Sequence, residues 1–270
     1  MKFALCNEIF RNLPLEDAFH KIADIGYEGV EIAPFTLQAN PRDLTESDAD
    51  RCRTAAERAG LKIVGLHWLM AETEGLHLTH SDPAIFEITQ EYLIKLGQLT
   101  ARMNGSILVL GSPQQRNLLP DTTYEQAFER AVKLMKAVCQ QIEDLGVAFA
   151  IEPLAKVETD FLSSCAQGSD FVKAVNHPAC GLHLDVKAMT AEPDGVCRAI
   201  QEFHPDCIHF HANDSNLRGP GQGDTNFTDV ANALKEVNYN RWVSVEAFDY
   251  FPDEEACARI SLENLRNSFS

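Results

Sequence analysis

Among the eight cysteines (6, 52, 139, 165, 180, 197, 207 and 257) of this 270-residue chain, no two form a Cys-x-x-Cys pair. That scatter argues against a disulfide scaffold or a zinc ribbon and points to thiols kept reduced in a cytoplasm. No uninterrupted apolar run approaches the ~20 residues of a membrane helix. The apolar start at Phe3 is broken by Asn7 and Glu8, unlike the core of a secretory signal. Positive charge is also scarce: 23 Lys and Arg face 40 Asp and Glu, a net charge of −17. Such a surface repels phosphate backbones and anionic lipid, so neither nucleic acid nor a membrane is an expected partner. With low-complexity tracts missing too, the balance of 45% hydrophobic and 23% charged residues describes a globular enzyme rather than a disordered chain or coiled coil.

Short apolar or β-branched runs recur at 3–7, 29–33, 62–67, 106–110, 147–152, 181–185, 207–211 and 242–246. The segments between them carry helical spacing. Tyr92, Leu96, Leu99 and Met103 fall on one helix face, and Phe128, Val132, Met135, Cys139 and Ile142 on another, after a start that Asp121 or Thr122 can cap. Gly26, Gly60 and Gly146 each stand just before a strand, where helix C-caps are expected. The stretch 169–177 supports only a short helix. Eight strands alternating with helices over this length predict one (β/α)8 TIM barrel, with 1–270 as a single domain; a doubly wound sheet usually has fewer strands. The Arg218-Gly219-Pro220-Gly221-Gln222-Gly223 piece interrupts a repeat and reads as a mobile active-site loop.

Four strands end in residues that are costly to bury: Glu152, Asp185, His211 and Glu246, spaced 33, 26 and 35 residues apart. Each gap is about one β/α unit, so the four converge at the C-terminal mouth of a barrel, where active sites lie. Three carboxylates held together repel unless a cation lies between them, and with one imidazole they form a mostly oxygen-donor site for one divalent metal ion. Of His209 and His211, only one is expected to point into the barrel, the other serving as a packing histidine. His67, ending the third strand beside Trp68, is a candidate substrate contact. Glu31, ending the second, either serves the mouth or pairs with a loop. Lys187 either binds a substrate oxygen or neutralises nearby carboxylates, and His183 is expected to support Asp185. The Gly111-Ser112-Pro113 turn with Arg116 either holds a substrate anion or is a plain loop.

The run from Ile151-Glu152 through His183-Leu184-Asp185 to His211-Ala212-Asn213-Asp214 and Val245-Glu246 resembles the sugar isomerase/epimerase superfamily of xylose isomerase-like barrels. Its members include ketose 3-epimerases, hydroxypyruvate isomerase and inosose-processing enzymes. The likeness covers essentially the whole chain and includes the Gly-Pro-Gly-Gln-Gly stretch and Phe227. It implies that Glu152, Asp185, His211 and Glu246 hold the metal, manganese foremost, with magnesium, cobalt and zinc as alternatives. It further implies that Glu152 and Glu246 act as the acid/base pair and that Glu158 contacts substrate. Arg218 matches an arginine that follows the metal histidine in the epimerases, although Ser215-Asn216-Leu217 shifts its register. Where the epimerases carry a substrate histidine after the metal aspartate, this chain has Val186-Lys187-Ala188-Met189. Endonuclease IV shares the fold but needs more metal-binding histidines and a basic DNA-facing surface.

These residues suit proton transfer beside a carbonyl through an enediolate stabilised by the ion, with Glu152 and Glu246 removing and returning the proton. Return to the same carbon gives epimerisation, return to the neighbouring carbon gives aldose–ketose isomerisation, and loss of a β-hydroxyl gives an inosose-type dehydratase. A barrel that merely binds sugar is the non-catalytic alternative. The expected partner is a small sugar or hydroxyketone, and a homo-oligomer is compatible with the sequence.

Overall fold

The computed structural model describes residues 1–270 and shows a closed parallel barrel of eight strands in sequence order. The strands are β1 (Lys2–Cys6), β2 (Gly29–Ile32), β3 (Lys62–Leu66), β4 (Ile107–Leu110), β5 (Ala148–Ile151), β6 (Cys180–Asp185), β7 (Cys207–Ala212) and β8 (Trp242–Val245). Closure comes from β1 pairing with β8, Leu5 lying opposite Val245. The surrounding helices are α1 (Leu15–Ile25), α2 (Glu46–Ala59), α3 (Pro83–Arg102), α4 (Tyr124–Ile142), α5 (Cys165–Val175), α6 (Val186–Met189), α7 (Gly195–Phe203), α8 (Phe227–Glu236) and α9 (Glu254–Phe269). No helix is long and apolar enough to cross a membrane.

Helix boundaries follow local chemistry. Thr123, and neither Asp121 nor Thr122, caps α4, because its hydroxyl accepts from Gln126 N while the Gln126 side chain accepts from Thr123 N. The helix expected only over 169–177 starts earlier and runs 11 residues, since Ser164 caps it by accepting from Gln167 N. Gly26, Gly60 and Gly146 do end helical segments with left-handed φ of 111°, 75° and 69°. The apolar face of α4 buries Leu134, Met135, Val138 and Ile142 completely. Each such side chain stabilises the fold by roughly 1.5–3 kcal/mol.

Strand alternation divides the packing in two. Leu5, Val30, Ile32, Leu108 and Phe210 join the large core between sheet and helices, whereas Ala4, Val64, Ile107, Val109 and Ala150 form a separate small cluster. A register shift between Leu182 and His183 brings Asp185 directly opposite His211. The 218–223 loop, read as mobile, is tied to α9: Gln222 Nε2 donates to Cys257 O at 3.3 Å and to Ser261 Oγ at 3.2 Å.

Candidate active site

The ends of β5 to β8 deliver the four predicted ligands to one place. Glu152 directly follows β5 and Glu246 directly follows β8. Asp185 closes β6 and caps α6 by accepting from Ala188 N at 2.8 Å. Donor atoms of Glu152, His183, Asp185 and His211 all lie within 4.8 Å of one another, and Glu246 Oε2 is 3.3 Å from His211 Nδ1. All are buried. His211 Nδ1 is enclosed and has no hydrogen-bond partner. An orphaned imidazole nitrogen facing three convergent carboxylates fits a divalent cation in donor type and charge.

Burial pushes the Glu152 carboxyl up to about 8, with the like charges of Glu246 and Asp185 adding to it. Asp185 is raised by burial too, against the pull of Lys187. Glu246 moves the other way: burial opposes its charge, but His211, then His67 and Lys187, outweigh that and lower it. Without an ion, the two glutamates are thus shifted in opposite directions.

Beneath the mouth lies a second polar layer. Both His209 and His211 point into the barrel, because residues two apart on a strand share a face; the expectation that only one would do so is overturned. His209 Nε2 reaches Glu31 Oε2 at 2.6 Å and His211 Nε2 reaches Glu31 Oε1 at 2.9 Å. Ser244 Oγ donates to Glu31 Oε2 at 2.7 Å. Glu31 thus belongs to the barrel interior and not to a loop contact. Burial works against its charge, but the two imidazoles and their hydrogen bonds hold it well below the usual carboxylate range. Asp185 is braced by Asn213, whose Nδ2 donates to Oδ2 at 2.6 Å. The His183 ring instead packs edge-on to His211, with 4.2 Å between centroids, and its Nε2 lies 3.8 Å from Glu152 Oε1.

A cleft of about 420 Å3, open solvent at its entrance included, sits over the carboxylates. Glu152, Glu246, Glu158 and Lys187 line it together with the aromatic rings of Trp68 and Phe248. Lys187 Nζ is 2.7 Å from Glu158 Oε1 and lies 5.0 Å from the centre of the Phe248 ring. Trp68 has φ of 51°, a left-handed conformation that bulky side chains rarely adopt, and its ring meets Phe248 edge-on. Gly111 is required by close approach, since a Cβ there would overlap Glu152 Oε2. Arg116 takes neither role proposed for its turn: fully buried, it donates through Nη1 to Glu152 O at 2.7 Å and props that segment.

Two predicted substrate contacts lie off the cleft. His67 is fully buried below it, its Nε2 2.8 Å from Glu8 Oε2. Arg218 pairs with Asp249 at 2.8 Å and stacks over Phe251. Asn213, Phe248 and Glu8 went unassigned in the sequence reading, although each stands within two residues of a strand end or a ligand.

The family described as a xylose isomerase-like TIM barrel matches residues 19–268. D-psicose 3-epimerase of Agrobacterium fabrum is 33% identical over 235 residues, covering 84% of this chain and 77% of that protein. D-psicose 3-epimerase of Ruminiclostridium cellulolyticum is 27% identical over 232 residues, 84% of this chain and 76% of the relative. The crystal structure of D-psicose 3-epimerase with D-tagatose from Clostridium cellulolyticum H10 superposes with a TM-score of 0.87 over 100% of both chains at 20% identity, a likeness of fold.

Proposed function

Because the chain belongs to the xylose isomerase-like TIM barrel family, we propose that it is a divalent-metal-dependent ketose 3-epimerase, within the sugar isomerases and epimerases that its relatives are. The observation that carries this reading is the meeting of Glu152, Asp185, His211 and Glu246 under a cleft walled by Trp68 and Phe248. Those four residues would hold the ion, with manganese foremost on the family resemblance and magnesium equally suited by the oxygen-rich donor set. When bound, the ion polarises the substrate carbonyl and offsets the charge of the enediolate.

The chain's own residues do the rest. Glu246, held ionised, is the base that takes the proton from the carbon beside the carbonyl. Glu152, the other glutamate ligand lining the cleft, is the group suited to returning one. Lys187 and Glu158, paired across the cleft, offer a donor and an acceptor to sugar hydroxyls, and the faces of Trp68 and Phe248 pack against the carbon chain. All eight cysteines are free, which supports a reducing cytoplasm as the setting, and the single closed barrel supports a chain that works as one domain.

The test is solvent-hydrogen exchange with the manganese-loaded protein in D2O, using D-psicose, D-fructose, D-tagatose, L-ribulose, hydroxypyruvate and inososes. Deuterium at the carbon beside the carbonyl, with a C3 epimer as product, is the expected result. Loss of water from an inosose would replace epimerisation by dehydration. No exchange across the panel with an ion bound would leave only a sugar-binding barrel.

A further inference from the structure

The mechanism above leaves Glu31 unused, yet it is one of the most heavily bonded side chains in the barrel. Fully enclosed, it meets three polar atoms: His209 Nε2 at 2.6 Å, His211 Nε2 at 2.9 Å and Ser244 Oγ at 2.7 Å, the last donating. Both of its oxygens are taken. With the Ser244 hydroxyl donating to it, Glu31 stands as an acceptor, an arrangement that would place the proton shared with His211 on Nε2. The nitrogen left over, Nδ1, is the buried atom that lacks a hydrogen-bond partner, and it lies 3.3 Å from Glu246 Oε2. An imidazole gives a lone pair to a cation through one nitrogen, and the partner of the other nitrogen decides which.

We propose that Glu31 is a positioning residue that holds the proton of His211 on Nε2 and fixes the ring so that Nδ1 receives the ion, with His209 and Ser244 holding Glu31 in place. This rests on the metal-dependent reading above. The neighbouring group of Cys6, Glu8, His67 and Glu246 also converges. There, however, His67 Nε2 and Glu8 Oε2 spend their facing atoms on each other at 2.8 Å, which makes a brace of the same kind and not a second ion site.

Glu31→Gln keeps the shape but sets an amide N–H2 or a single carbonyl against two imidazole N–H groups. Its apparent Kd for Mn2+, read by competition with a chelating dye, should rise about 10- to 100-fold. On the zinc-loaded wild-type protein, long-range 1H–15N spectra should show His211 protonated at Nε2 with Nδ1 shifted by the ion. A folded Glu31→Gln protein with lower thermal stability but unchanged ion affinity would mark Glu31 as a merely structural charge and overturn the proposal. So would a His211 bound to the ion through Nε2, a result that needs no variant to fold. If Asp185→Ala loses the ion while Glu31→Gln does not, the metal reading stands and only this inference falls. A wild-type chain that binds no ion removes both.

Discussion

Replacing Glu152 by Gln is expected to abolish turnover and, in the metal-free protein, to stabilise the fold as pH rises. Burial, reinforced by Glu246 and Asp185, lifts the Glu152 carboxyl from an ordinary 4.5 to about 8. Between those two values the folded chain keeps a proton that the unfolded chain has released. Folded protein therefore binds more protons, and stability falls as pH rises through that window. At about 1.4 kcal/mol per pH unit, the interval from 4.5 to about 8 sets a ceiling of about 5 kcal/mol. Glutamine carries no such charge. The stability difference, variant minus wild type, should be near zero at pH 4.5 and grow steadily to its plateau above pH 8. In a chain of this size each kcal/mol moves Tm by about 2 °C, so up to about 10 °C should separate the two proteins. Calorimetry after chelator treatment, from pH 4.5 to 9, reads this directly. Saturating Mn2+ should flatten the wild-type slope, because a bound cation stabilises the ionised form and the fold together. Parallel pH dependences for wild type and variant would refute the claim that Glu152 is held up by burial and like charge.

Gly111→Ala forces a methyl into the space of Glu152 Oε2; a displaced carboxylate should cost about 100-fold in kcat/KM, and near-normal rates would mean the loop gives way instead. Lys187→Gln removes the cation paired with Glu158 at 2.7 Å. It should raise KM about tenfold while kcat changes less, and an unchanged KM would reduce Lys187 to a neutralising charge. Glu246→Gln, assayed at saturating Mn2+, should lower kcat by about 100- to 10,000-fold while circular dichroism reports an intact fold; near-normal turnover would remove Glu246 from proton transfer.

The barrel was legible because its signal repeats. Each strand run is bounded by a cap or a turn residue, and eight of them at unit spacing leave few topologies. The four mouth residues were legible for the same reason: a carboxylate or imidazole ending an apolar strand violates the pattern, and four violations one unit apart add up. What stayed hidden depends on register and on side-chain reach. Glu31 and His209 are strand residues whose partners lie 178 positions apart in sequence, so no local spacing could pair them. Asn213 supports Asp185 only because a register shift at Leu182/His183 sets β6 against β7 as it does. Arg218 shows the converse limit. The resemblance to the epimerases implied a place at the cleft, whereas the competing charge of Asp249 and the ring of Phe251 hold it outside.

The distribution of unmet charge inside the barrel separates the residues that build the site from those that work in it. Five carboxylates are buried there: Glu8, Glu31, Glu152, Asp185 and Glu246. Each costs several kcal/mol unless matched by donors. Glu31 is matched by two imidazoles and a hydroxyl and Asp185 by Asn213 and the N–H of Ala188, whereas Glu8 meets His67 through Oε2 and leaves Oε1 without a partner. Glu152 has only His183 Nε2 at 3.8 Å, and Glu246 only His211 Nδ1 at 3.3 Å, both nitrogens left without a hydrogen bond. Those two carboxylates line the cleft and open onto it. A fold selected for stability alone would have supplied donors to them, as it did to Glu31 and Asp185. On the proposed function, leaving them unmatched would keep their lone pairs available for an ion and a substrate proton, at a stability cost that the Glu152→Gln comparison measures.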